Sequence, residues 1–299
     1  MITVSVPGKI ILMGEHAVVY GKPAFIAVIN KRLTATIRSA SALSIIAPEG
    51  KEYIAHIINC CLSYLKKRVK PKIRLTITSD IPIGYHLGSS AAVAAGIIGA
   101  LLRYYHHPWD KTLINELTFQ AEQFMHIHSS GVDPASVVNG GFLWYRKELD
   151  FLRCITPLSV VSSQLLTNFY LMNTGKPKES TGEMVAYIGA KYKSQKTKYL
   201  KLFEENEVQT KRIACALKDS DEQILIDALK QGEQTLEAMG VVSKQVLPII
   251  RHVEQTGGAV KILGGGGRTG GVGYLLCYSR HPPKGSEPIH LGGEGIRLE

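Results

Sequence analysis

The residue types that handle phosphate fall in a few short stretches of this sequence. Residues 82–92, PIGYHLGSSAA, read as a glycine-bearing turn that feeds an apolar helix. The first N–H groups of a helix lack internal partners and its dipole makes that end partly positive, so a phosphate can sit there. Ser89 and Ser90 are N-cap residue types whose hydroxyls could also meet a phosphate or a magnesium ion. Taken alone, the same residues read first as an ordinary capped helix after a tight turn. In PGKIILMGEHAVVYG (7–21), Lys9, Glu15 and His16 bracket an apolar run, a pattern hard to explain as surface. In AEQFMHIHSSGVDPASVVNGG (121–141), Glu122 and His126 stand four residues apart on one helix face. Asp133 follows in what reads as a loop before a proline; taken singly, these are also a surface pair and a turn residue.

A further glycine cluster, KILGGGGRTGG (261–271), contains a formal G-x-G-x-x-G at Gly265, Gly267 and Gly270. A dinucleotide fingerprint needs a following helix, whereas the strand-like YLLCY comes next and little chain remains. There is no G-x-x-x-x-G-K-[ST], so a bound nucleotide would be held without a Walker loop.

The elements around these stretches alternate between strand and helix. The N-terminal run predicts a strand, a break near Pro7 and Gly8, and a second short strand; strands follow at 24–29 and 33–38. Residues 51–69 show helical spacing, and KIRLTIT (72–78) alternates strictly as a strand. An apolar helix begins at Ser89, a second runs from Lys111 to His126, a polar loop covers 128–136, and GGFLWYR forms a strand. NFYLMNTG (168–175) starts a fresh strand, three helical segments follow between 180 and 256, and a strand, glycine loop and strand complete the pattern. The fold expected is α+β, in two domains spanning 1–164 and 165–299.

Composition bounds the function classes. With 299 residues, 45% apolar and 20% charged, the chain lies in the soluble globular range, and no apolar run approaches the roughly 20 residues that span a bilayer. The N-terminus carries no signal-peptide pattern, so a cytoplasmic protein is expected. Five cysteines without C-x-x-C spacing suggest reduced, buried thiols rather than a disulfide framework or a zinc site. A net charge of +10 suits polyanionic ligands such as nucleotides, and the lysines of KYKSQKTKYLK (191–201) read as a solvated helix face.

Taken together, these stretches resemble the GHMP kinases, and PGKIILMGEHAVVYG with SGVD eleven residues beyond Glu122 is most similar to the mevalonate kinases among them. The resemblance implies an N-terminal domain like domain two of ribosomal protein S5, a ferredoxin-like C-terminal domain, and an active site between them. It implies transfer of a phosphoryl group from ATP to the primary hydroxyl of mevalonate, in isoprenoid precursor biosynthesis. ATP would lie over Pro82, Gly84, His86, Leu87, Gly88, Ser89, Ser90 and Ala91, with Gly265 and Gly266 closing from the other side. Asp133 corresponds to the catalytic base, with Lys9 beside it favouring an ionised nucleophile. Ser90 and Glu122 resemble the Mg2+ ligands; Glu15 and His16 would orient the acceptor, and Thr181 is a substrate-side candidate. A homodimer is the family's suggestion, and neither nucleic acid nor membrane is expected as a partner.

Two departures touch phosphate handling. His86 replaces the first glycine of Gly-Leu-Gly-Ser-Ser-Ala, and Leu263, Arg268 and Thr269 interrupt the family's Lys-x-Thr-Gly-Ala-Gly-Gly-Gly-Gly. The His86 ring either points to solvent or reaches the phosphates, with Arg268 approaching from the opposite loop. Other readings of the sequence are a GHMP kinase for another isoprenoid acid or a sugar, a GHMP-fold regulator without turnover, and an S5-like RNA-binding protein. The RNA reading is opposed by sparse aromatics and the lack of an RNA-binding motif.

Overall fold

A computed structural model of the chain describes residues 1–48, 50–125, 130–149, 151–159 and 163–299. Its first half builds β1 (Ile2–Met13), β2 (Ala24–Ser39), β3 (Ser44–Ile46), α1 (Lys51–Tyr64), β4 (Ile73–Ser79), α2 (Ser89–Tyr104), α3 (Lys111–Met125), α4 (Val132–Asn139), β5 (Phe142–Lys147) and β6 (Arg153–Leu158). The second half adds α5 (Ser163–Leu166), β7 (Phe169–Asn173), α6 (Thr181–Ser194), α7 (Lys196–Asp219), α8 (Glu222–Met239), α9 (Leu247–Gln255), β8 (Ala259–Ile262), β9 (Tyr274–Tyr278), β10 (Ser286–Pro288) and β11 (Arg297–Leu298). The expected α+β class holds. One sheet has the order β11-β1-β2-β4-β3, extended by β5 on β2 and β6 on β5; the other has the order β10-β7-β9-β8.

The break expected at Pro7 and Gly8 is a shift of register inside one continuous strand. There the loop before α2 meets β1, where the Lys9 amide donates to the Leu87 carbonyl at 3.0 Å. A side chain at Gly8 would stand 3.1 Å from that carbonyl, so the close approach favours glycine. The strands expected at 24–29 and 33–38 are likewise one strand that changes partner. Ala24–Ala27 pair with β5 and Leu33–Ser39 with β4. The polar residues between them are held by the rest of the fold: Lys31 pairs with Glu287, and Arg32 donates to Ser5 and to the carbonyls of Glu294 and Gly295.

On this sheet α2 packs through its small residues. Side chains at Gly96 and Gly99 would come within 3.2 Å of Leu33 and of Trp109, so both glycines bring the helix close to its neighbours. The apolar face of α1, with Ile54, Ile57, Ile58 and Cys61, is buried as its spacing predicts. This helix ends at Tyr64 rather than 69, where Lys66 adopts φ 53°, a left-handed conformation typical of a helix end.

The loop predicted over 128–136 becomes α4 from Val132, because Pro134 lies in the first helical turn, where its missing N–H costs nothing. Residues 128 and 129 lie outside the described residues. The region 180–256 holds four helices instead of three; α6 and α7 are separated by Gln195 alone, so the lysine-rich 191–201 spans both. All five cysteines are free, yet only Cys61 and Cys277 are buried; Cys154 on β6 and Cys215 on α7 are exposed and Cys60 lies between. The last residues return to the first sheet, where β11 pairs with β1 and Leu291 bridges Ile29. Among the described residues, no helix is long and apolar enough to cross a membrane.

Candidate active site

The loop before α2 turns on left-handed backbone at Gly84 (φ 82°), His86 (φ 65°) and Gly88 (φ 78°). Histidine tolerates this region better than most side chains, so the turn survives the replacement of glycine at 86. Gly88 itself is the N-cap of α2 and no side chain caps the helix, which corrects the expectation that Ser89 or Ser90 would do so. The serines therefore stand in the first turn, where the unpaired amides gather. Ser90 Oγ donates to Glu122 Oε2 at 3.2 Å. Leu87 and Ala91 are buried beneath the loop, and Pro82 is half-buried at its start.

Lys9 runs along the loop from below. Its Cγ would stand 2.9 Å from a side chain at Gly88, its Nζ donates to the His86 carbonyl at 3.5 Å, and it ion-pairs with Asp133 Oδ1 at 2.8 Å. Asp133 occupies the first turn of α4, which its N-cap Gly131 begins at φ 84°. The strand β1, the loop and α4 thus bring Lys9, Ser90 and Asp133 to one side of the first sheet.

Glu122 on α3 is buried and also accepts from the Tyr53 hydroxyl at 2.7 Å. Burial, with the Glu122 carboxylate beside it, pushes the Tyr53 pKa up, so the phenol stays a donor. Tyr53 reads in sequence only as a core position of α1, and nothing in its spacing marks this role. His126, expected on the Glu122 face, lies outside the described residues.

Glu15 and His16 follow β1. Glu15 is fully enclosed and ion-pairs with Lys261 on β8; burial nevertheless raises its pKa above the usual carboxylate value. It therefore ties the first sheet to the second rather than opening toward a substrate. Lys261 also donates to the Ile11 carbonyl at 3.1 Å. Beside it, Glu233 of α8 accepts the Ile262 amide at 2.9 Å, and burial holds its pKa well above the ordinary value. Lys261 opens the glycine motif and was visible there as a residue without a role; Glu233 gave no signal in its helix.

His16, at φ 60°, bonds through Nε2 to the Gly265 carbonyl at 3.1 Å. A carbonyl only accepts, so Nε2 carries the proton. Burial lowers the His16 pKa to about 4, which leaves Nδ1 an acceptor, buried and without a partner among the described residues.

The glycine loop meets His86 directly. A side chain at Gly264 would collide with the His86 Cβ, one at Gly265 would lie 3.5 Å from its Cε1, and one at Gly273 the same distance from its Cδ2. Gly266, at φ 67°, turns where a side chain would strike the Val241 carbonyl. His86 Nδ1 bonds to Thr181 Oγ1 at 3.1 Å, at the first turn of α6. Its ring is packed between two loops, which corrects the solvent-facing alternative. Arg268 does not approach it: its guanidinium covers the Tyr187 ring at 4.3 Å, and its amide donates to Glu179 at 3.3 Å.

The sequence pattern of the GHMP kinases N terminal domain matches residues 55–141. The chain is 31% identical to the mevalonate kinase of Archaeoglobus fulgidus, over 99% of each protein. It is 30% identical to that of Pyrococcus horikoshii, over 99% of this chain and 97% of the relative. Among solved structures it is similar to L. major mevalonate kinase in complex with R-mevalonate, with a TM-score of 0.81 at 19% identity over 97% of this chain and 95% of that one. It is also similar to Streptococcus pneumoniae phosphomevalonate kinase in complex with phosphomevalonate and AMPPNP, with a TM-score of 0.76 at 18% identity over the full length of both.

Proposed function

The chain belongs to the mevalonate kinase family of the GHMP kinases, and we propose how its residues carry ATP-dependent phosphorylation of the primary hydroxyl of mevalonate. The product is 5-phosphomevalonate, an intermediate of the mevalonate pathway to isoprenoid precursors. The observation that carries the reading is the Lys9–Asp133 ion pair at 2.8 Å, set beside the uncapped first turn of α2.

The polyphosphate of ATP lies against loop 82–90 and the amides that open α2, with Gly265 and Gly266 facing it from the second sheet. Ser90 and Glu122 fit a magnesium ion: a buried carboxylate and a hydroxyl 3.2 Å apart form a hard-oxygen pair, leaving phosphate oxygens and water to complete the shell. Bound there, the ion would neutralise charge on the transferring phosphoryl group.

Asp133, a third exposed, accepts the proton of the attacking hydroxyl. Lys9 holds the carboxylate in place and favours negative charge on the attacking oxygen. The unpartnered Nδ1 of His16 accepts a hydrogen bond from a second hydroxyl of the acceptor, while Glu15 acts from behind through Lys261. Thr181 holds His86, and through it the loop that carries the phosphates. Phosphoryl transfer asks mainly for positioning and charge neutralisation, which this set supplies. The residues divide into an N-terminal domain, 1–164, and a C-terminal domain, 165–299, whose last strand returns to the first.

The reading is tested by incubating the protein with Mg-ATP and, separately, mevalonate, phosphomevalonate, homoserine and galactose, with products identified by mass. Phosphorylation of mevalonate alone is expected. A product from another acceptor, with none from mevalonate, would overturn the substrate assignment.

A further inference from the structure

Residues 174–179 form a strap across both glycine loops. One end is stitched to the C-terminal loop: Thr174 Oγ1 donates to the Gly273 carbonyl at 2.8 Å, the Gly273 amide donates to the Gly175 carbonyl at 2.9 Å, and the Val272 amide donates to Thr174 Oγ1 at 3.0 Å. The other end is fixed by Glu179, which accepts from the Thr269 hydroxyl at 2.8 Å and from the Arg268 amide. Between these anchors, each side chain lies on a glycine. A side chain at Gly273 would stand 3.5 Å from Pro177 Cγ, and one at Gly270 3.6 Å from Lys178 Cε, both on the C-terminal loop.

Lys176 alone of these three crosses to the other loop. A side chain at Gly84 would meet its Cε at 2.7 Å and its Nζ at 3.3 Å, so the lysine lies flat on the turn that precedes α2. Gly84 combines φ 82° with this overlying chain, and both conditions favour glycine there. Lys176 is exposed and forms no ion pair among the described residues. Lys9, the other lysine on the loop, is already committed to Asp133. A triphosphate brings more negative charge than a helix terminus of roughly half a unit charge can balance.

We propose that Lys176 is a phosphate-contacting residue, a second cation that reaches the polyphosphate of ATP from the C-terminal half of the chain, across the loop from Lys9. This deepens the kinase reading above and rests on it. The strap fixes the lysine's backbone to the C-terminal glycine loop while its ammonium serves the N-terminal one, so nucleotide binding draws the two loops together. Glu179, bonded to the far end of the same loop, sets the height of the strap.

The test is calorimetric titration of the purified protein with Mg-AMP-PNP, with mevalonate titrated separately. Lys176→Met is expected to weaken AMP-PNP about tenfold or more, the scale of a lost charge-assisted hydrogen bond, and to steepen no other affinity. Mevalonate affinity should stay within about twofold, and Lys176→Arg should recover most of the AMP-PNP affinity. AMP-PNP binding by Lys176→Met within about twofold of wild type would overturn the role of Lys176 while leaving the kinase reading intact. Equal weakening toward both ligands would also overturn it, marking a general disturbance of the fold. Wild-type protein without affinity for AMP-PNP would instead overturn the kinase reading beneath it.

Discussion

The Nζ of Lys9 lies 2.8 Å from Oδ1 of Asp133, with the lysine side chain 4% exposed and the aspartate side chain 34% exposed. The cation is the enclosed partner and the carboxylate the open one. A hydroxyl approaching from solvent can therefore reach Asp133 while the charge of Lys9 stays fixed behind it. This asymmetry suits a base served by a buried cation better than a surface ion pair, whose members are both solvated.

Ser90 and Glu122 should govern the metal requirement. Replacing either by alanine removes one of the neighbouring oxygens, and the Mg2+ concentration for half-maximal activity should rise while mevalonate KM changes little. Titration of activity against free Mg2+ at saturating ATP measures this. An unchanged midpoint in both variants would count against them as ligands.

His86 and Thr181 should act as a pair, because their bond joins the loop before α2 to the start of α6. Both His86→Gly and Thr181→Val should raise the KM for ATP. In the double variant the two effects should fall short of their sum by about 1 kcal/mol, the usual net value of one hydrogen bond. Strict additivity in the four-protein cycle would show that the contact carries no coupling.

Burial of His16 should appear in acid stability. Its pKa falls from 6.5 to about 4 in the folded chain, so the unfolded chain takes up a proton first as pH drops. Its contribution is intact above pH 6.5 and declines between there and pH 4, by an amount on the order of 3 kcal/mol. Asparagine tolerates the left-handed backbone at this position, so His16→Asn should flatten that part of the stability curve. Urea unfolding of both proteins across this pH range is the measurement, and parallel curves would contradict the assignment.

Much of this was legible in the sequence, for identifiable reasons. KIRLTIT alternates strictly because one face of β4 is buried, and the apolar positions of α1 repeat with its turn. The glycines of both loops stood out because close approach and left-handed backbone leave few alternatives. Asp133 was found but placed in a loop, since a proline next to it signals a turn as readily as the first turn of a helix. Glu15 was found as a residue that would orient the acceptor, without its partner; Lys261 lies far along the chain, and spacing cannot reveal a contact across two sheets. Tyr53 and Glu233 were missed because helical periodicity sorts residues into buried and exposed, and says nothing of what a buried polar group will meet.

If Asp133 takes the proton of the acceptor hydroxyl, Asp133→Asn should remove the base and little else. The amide keeps the shape and the first turn of α4 but cannot serve as the base. With Mg-ATP and mevalonate, kcat should fall by orders of magnitude while AMP-PNP affinity and thermal stability stay close to wild type. A purified, folded Asp133→Asn protein that turns over mevalonate at a near wild-type kcat would show that Asp133 is not the base.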